Sequence, residues 1–162
     1  MRRVMVERKY AKYIITENKV PLPPPPPQAL KRMEEQRKAG NYMESTHMFS
    51  LNDAVAKGAF YVDCVWMWEQ KGTGGLYTEI AHAHDWDEVW IFAGTDKKNP
   101  RELGAVLDFY LGDEQYLVDK SCIVYIPAGL SHGPCGMKKL DRPVLFITMG
   151  NGTSYTRTAG NE

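Results

Sequence analysis

From Phe60 to Met149 the apolar residues fall in short runs broken by turn-forming residues, with no helical period between them. The runs predict strands over Phe60–Glu69, Leu76–Ala83, Glu88–Ala93, Gly104–Leu111, Gln115–Val118, Ser121–Ile126 and Pro143–Met149. Gly112-Asp113-Glu114 reads as the hairpin between two of them. Strands at this spacing predict an all-β, antiparallel sandwich or barrel. Several are apolar on both faces, Val89-Trp90-Ile91-Phe92 above all, so they predict cover outside the barrel as well as a core within it.

The first fifty residues follow another pattern. Pro21-Leu22-Pro23-Pro24-Pro25-Pro26-Pro27 holds six of the ten prolines and must be extended polyproline II over much of its length. Gln28 to Ala39 has the composition of a helix and stops at Gly40-Asn41. The chain therefore divides into an arm over residues 1–55, a β-domain over 56–155 and a tail over 156–162. The proline run reads as a stiff spacer that lays the arm on the barrel, in preference to a ligand for an aromatic-lined groove.

Three of the four histidines and one carboxylate lie in two segments, His82-Ala83-His84-Asp85-Trp86-Asp87-Glu88 and Pro127-Ala128-Gly129-Leu130-Ser131-His132. Histidines at i and i+2 on a strand project to one side. Asp85-Trp86-Asp87 reads as a tight reversal that lets Glu88 open the next strand toward the same interior, with His132 arriving from a distant strand. Imidazole and carboxylate together suit a transition metal. His47, by contrast, reads as a satisfied polar residue.

These segments resemble the two motifs of the cupin superfamily. Gly75, His82, His84, Glu88 and Gly94 match the first, and Pro127, Gly129 and His132 match the second. Ser121 stands where the second motif opens with Gly, and Gly136 where it has Asn. The resemblance implies a small single-domain jelly roll, the antiparallel double-stranded β-helix. It also implies that His82, His84, Glu88 and His132 hold one divalent transition metal per chain: Fe, Mn, Ni, Co or Zn. It does not fix a reaction, because one fold hosts many.

Four protein ligands fill a tetrahedral Zn shell but leave two positions on a six-coordinate ion for water, substrate or dioxygen. Strand parity places Thr78 and Ile80 with the histidines, and Trp90 and Phe92 with Glu88. Trp66 and Trp68 share a parity on a neighbouring strand and join the same apolar pocket wall. The same alternation puts Pro134, rather than Cys135, on the His132 face. Arg142 is the nearest basic residue for an anion clamp.

Composition removes other classes. Twenty basic and twenty acidic residues balance, with no block of like charge, which argues against nucleic acid or an anionic membrane as partner. No signal-like or membrane-spanning run is present, and Cys64, Cys122 and Cys135 show no paired spacing, so a reducing cytoplasm is expected. The leading expectation is a metal-dependent enzyme for a small organic substrate, either a dioxygenase or a non-redox isomerase, lyase or decarboxylase. A non-catalytic sensor or binding module is the alternative, and a scaffold recruited through the proline run is a third reading. The two-faced strands and the arm predict a homodimer.

Overall fold

The computed structural model describes residues 9–20 and 24–158. A short 3-10 turn (Ala11–Tyr13) and one helix, α1 (Pro27–Lys38), precede nine strands. These are β1 (Tyr42–Leu51), β2 (Tyr61–Lys71), β3 (Leu76–Tyr77), β4 (Glu88–Gly94), β5 (Glu102–Leu111), β6 (Glu114–Lys120), β7 (Cys122–Ile126), β8 (His132–Leu140) and β9 (Val144–Gly150). All pairings between strands are antiparallel, in a five-stranded sheet ordered β1-β2-β9-β4-β7 and a four-stranded sheet ordered β3-β8-β5-β6. This is the expected jelly roll.

Six of the seven predicted strands appear within two residues of their expected ends. The seventh, Leu76–Ala83, forms a ladder only at Leu76–Tyr77 and then runs irregularly, held by isolated bridges at His82 and Ala83. Two strands lie outside the seven predicted spans. Strand β1 lies inside the stretch read as arm, where polar and apolar residues mix because it is the edge of its sheet and largely faces solvent. Strand β8 is the distant strand expected to bring His132, but no apolar run marks it, because it carries Gly133, Pro134 and Gly136. Gly136 is what its neighbour requires: a Cβ there would collide with the backbone carbonyl of Leu76 on β3.

Helix α1 begins with Pro27 at its first position, as the ring permits, and stops where Gly40 adopts φ 81°. Pro26 has the extended dihedrals of polyproline II; Pro21, Leu22 and Pro23 of the predicted run lie outside the described residues. The helix docks by side chain. Gln36 Nε2 donates to Tyr77 O (3.0 Å), and Gln36 Oε1 accepts from Tyr77 N (2.9 Å), closing the open edge of β3.

Register then fixes which residues meet across the barrel. On the inner face of the larger sheet three rows run from β2 to β7: Tyr61, Gly150, Glu88, Ile126; then Asp63, Thr148, Trp90, Val124; then Val65, Phe146, Phe92, Cys122. Phe146, Phe92 and Cys122 of the last row, with Leu103, Leu107, Phe109 and Met137 from the facing sheet, make an apolar core end. The first two rows bring polar groups, and the site lies at that end of the barrel.

Candidate metal centre

Glu88 opens β4, as expected from the reversal before it, and is 2% exposed; His82, His84 and His132 are equally buried. Trp86 in the reversal stacks on the His84 ring (centroids 4.1 Å, 12°), in space left free because Gly150 and Gly152 have no Cβ. His82 N donates to His132 O (3.0 Å) and His132 N to His82 O (2.8 Å), so backbone pairing joins the two distant motif segments. One nitrogen from each of His82, His84 and His132 lies within 4.8 Å of the others.

The second nitrogen of each ring explains the direction. Nδ1 of His82 lies 2.8 Å from Ile80 O, Nδ1 of His132 lies 3.0 Å from Leu130 O, and Nδ1 of His84 bonds Thr156 O. A carbonyl only accepts, so each Nδ1 carries a proton, and Nε2 is the nitrogen left to offer a lone pair to a metal. Burial holds the His82 imidazolium down to about 4, so that ring is neutral at ordinary pH. Glu88 Oε1 accepts from Thr148 Oγ1 (2.7 Å), which leaves Oε2 free, 3.1 Å from His132 Nε2 and 3.4 Å from His84 Nε2. Burial raises the Glu88 carboxyl, but the close imidazoles of His132 and His84 and the hydrogen bond from Thr148 outweigh it and lower the group to about 2.

Three buried atoms, His84 Nε2, Glu88 Oε2 and His132 Nε2, have no hydrogen-bond partner. Lone pairs that face one another around an anionic oxygen need positive charge between them. A proton on one imidazole serves a single pair, whereas a cation among the Nε2 and Oε2 atoms serves all of them. The donor set therefore fits a transition metal.

Beside these groups lies a cavity of about 270 Å³. Tyr61, Asp63, Val65, Thr78, Glu79, Trp90, Cys135, Phe146, Tyr155 and Arg157 line it with His82, Glu88 and Thr148, and Pro25 of the proline run reaches it too. Two antiparallel sheets in jelly-roll order carry His82, His84, Glu88 and His132 at one end of the barrel. The fold is the antiparallel jelly roll, a double-stranded β-helix.

No family model and no curated protein matches the chain. Among solved structures, an oxalate oxidase is 12% identical over 71% of this chain and 54% of its own, with a TM-score of 0.46. A conserved protein with a double-stranded β-helix domain from Klebsiella pneumoniae is 10% identical over 76% of this chain and 86% of its own, at 0.45. A sugar phosphate isomerase of the cupin superfamily from Silicibacter pomeroyi is 18% identical over 69% and 60%, at 0.42. The chain spans about half the length of the first solved structures it matches, 44% and 54% of theirs.

Within this barrel the expected pocket residues divide. Thr78 and Trp90 line the cavity, and Trp90 meets the His132 ring edge-on at 5.5 Å. Phe92 lies deeper, in the core against Phe146, and Ile80 serves through its carbonyl; neither lines the cavity. Trp66 and Trp68 correct the expectation outright. The inner residues of β2 are Tyr61, Asp63 and Val65, so the two tryptophans stack on each other on the outer face, where Trp68 Nε1 donates to Thr46 Oγ1 (2.8 Å). Cys135 is a second correction: it, not Pro134, lines the cavity beside His82 and Glu88. Leu111 pairs with His132 and Phe109 with Cys135, so β8 spends one residue more than β5, and this bulge reverses parity. Burial pushes the Cys135 thiol up to about 12. Arg142 is far from the role assigned to it, paired with Asp96 (3.6 Å) and packed on Gly104.

Sequence reasoning did not find Tyr61, Asp63, Thr148, Tyr155 or Arg157. Thr148 carried a signal, as the one hydroxyl in an apolar strand. Tyr155 and Arg157 carried none, since they reach the site only because the chain after β9 folds back: Thr158 N donates to Ala83 O (2.9 Å), and Arg157 Nη2 bonds Glu79 Oε2 (2.7 Å). His47 is a satisfied polar residue as expected, bonding Asp63 Oδ1 (3.0 Å) and Asn18 (2.8 Å).

Proposed function

We propose that the protein is a metal-dependent enzyme for a small organic substrate, with His82, His84, Glu88 and His132 holding one divalent transition ion. The observation that carries this reading is the convergence of three unpartnered buried atoms, His84 Nε2, His132 Nε2 and Glu88 Oε2, with both rings anchored through Nδ1. Such an ion supplies a Lewis acid that polarises a bound oxygen or activates water. With one carboxylate the divalent site carries a formal charge of +1, which favours an enolate, alkoxide or carboxylate.

The chain's own residues do the rest. Thr148 fixes the Glu88 carboxylate, three backbone carbonyls fix the rings, and Trp90, Val65 and Phe146 exclude water from one side of the cavity. A cavity of about 270 Å³ suits a molecule below drug size, whose sites run to roughly 300–1,000 Å³. Two free positions on a six-coordinate ion favour Fe, Mn, Ni or Co over Zn, and admit either dioxygen insertion or anaerobic isomerase, lyase or decarboxylase chemistry. Three unpaired thiols fit a reducing compartment.

Metal analysis of protein purified without added metal tests the assignment. About one ion per chain is expected, and His82→Ala with His84→Ala should abolish binding while leaving the barrel folded. Stoichiometric metal in that double variant would sink the ligand set. A dioxygen-uptake screen of small aromatics and hydroxy or keto acids then separates the branches. Ligand binding without turnover under every metal loading would favour the binding module.

A further inference from the structure

The cation for an anionic substrate that Arg142 does not supply is present at Arg157. Among the described residues it is the one Lys or Arg in the cavity wall. The ligand segment itself fixes its place: Thr158 N and Oγ1 both donate to Ala83 O (2.9 and 3.0 Å), and Ala83 lies between His82 and His84. The Arg157 guanidinium packs over the Tyr155 ring at 4.6 Å, and Tyr155 Oη in turn lies 3.1 Å from His82 Nε2. One tyrosine side chain thus stands between the guanidinium and the ligand cluster. We propose that Arg157 binds a substrate carboxylate remote from the ion. The substrate is then a small acid that offers one oxygen group to the ion and a carboxylate to Arg157, a proposal that rests on the metal reading above.

The guanidinium is under-bonded as it stands. It has five N–H groups; Nη2 donates to Glu79 Oε2 (2.7 Å), and Nε is buried without a partner. Glu79 Oε1 is occupied in turn, accepting from Ile80 N (3.1 Å). Glu79 therefore steadies the arginine while most of its N–H groups are left over, and a carboxylate is the planar acceptor that suits them in pairs. An anchor for the chain end alone would not need its charge in the wall of a cavity that Val65, Trp90 and Phe146 also line. Charge selects the group as well. Asp63 and Glu79 share the wall, so a phosphate dianion meets two carboxylates and one arginine, whereas a carboxylate brings only a single charge.

The test loads full-length protein with Co(II) and titrates it by calorimetry with two pairs of probes, lactate against malate and α-hydroxybutyrate against α-hydroxyglutarate. Within a pair both acids offer the ion the same α-hydroxy carboxylate, and the second adds a carboxylate at the far end. In wild-type protein the dicarboxylate of at least one pair should bind about 10-fold or more tightly than its partner, the worth of hydrogen bonds between charged groups. Arg157→Gln should take up the same metal, bind the monocarboxylates as before and lose the preference, and Arg157→Lys should keep part of it. If the glutamine variant does not fold, the lysine variant decides, and an undiminished preference in it overturns the clamp. A preference absent from the wild type, or surviving in Arg157→Gln, also overturns the clamp and leaves the four-ligand site standing. Glycerate with a terminal phosphate that binds more tightly than either dicarboxylate overturns carboxylate as the group recognised. Protein that takes up no metal overturns both readings.

Discussion

Thr148 shows how much a single side chain contributes to this site. It sits on central strand β9, between Asp63 on β2 and Trp90 on β4, and its hydroxyl reaches Glu88 Oε1 at 2.7 Å. That bond leaves Oε2 directed at the two Nε2 atoms. Thr148→Val keeps the shape but removes the donor, so Glu88 gains rotational freedom and Oε1 competes for the ion. A loss of about 10–100-fold in metal affinity is expected, as for other partners of metal ligands. Competition against a chelator measures it, with the far-ultraviolet spectrum as the check on folding; an unchanged affinity would show that the hydroxyl is incidental. The four candidate ligands are legible in the sequence because their spacing is local to two segments. The groups that aim them are not, since Ile80, Leu130 and Thr156 act through backbone carbonyls that every residue possesses.

At the scale of elements, legibility follows pattern strength. Strands apolar on one or both faces are readable within two residues of their ends, while β1 and β8 are hidden by opposite causes. The first mixes polar residues because it is an edge, and the second carries glycine and proline because β3 approaches it closely and a bulge re-aims Cys135. The helix is readable, but its purpose is not, because docking depends on one long-range side chain. Strand β3 has only two residues, and Gln36 satisfies both polar groups of Tyr77 at its edge. Gln36→Ala should therefore cost about 1–3 kcal/mol, the penalty for leaving partly buried backbone groups unpaired. Thermal unfolding would record this as a fall of several degrees. A melting temperature within error of wild type would mean that solvent replaces Gln36 fully and that α1 is merely laid on the barrel.

At the scale of the whole molecule, the larger sheet has a second face to account for. With Glu88, Trp90 and Phe92 turned inward, Val89, Ile91 and Ala93 of β4 turn outward, flanked by Leu145, Ile147 and Met149 of β9 and by Ile123 and Tyr125 of β7. None of these eight side chains is charged. Ile123 is 69% exposed and Tyr125 58%, and β7 is the open edge of its sheet. A continuous apolar face with an unpaired edge strand invites association. We propose that a second copy of the chain covers it, because an uncharged surface can meet its own twofold image without repulsion. The described part of the arm adds a further apolar strip, with Tyr10, Tyr13 and Ile14 exposed just before Asn18 anchors the chain to His47 and Ser50. Sedimentation should find a dimer for the wild type. The pair Ile91→Asp and Ile123→Lys places opposite charges on adjacent strands, where Ile91 and Ile123 are register partners, so each chain can satisfy them internally while the apolar contact is lost. That variant should sediment as a folded monomer and keep its metal content, because the site opens on the opposite face of the same sheet. A wild-type monomer at micromolar concentration, or a variant that still dimerises, would rule out this face as the interface.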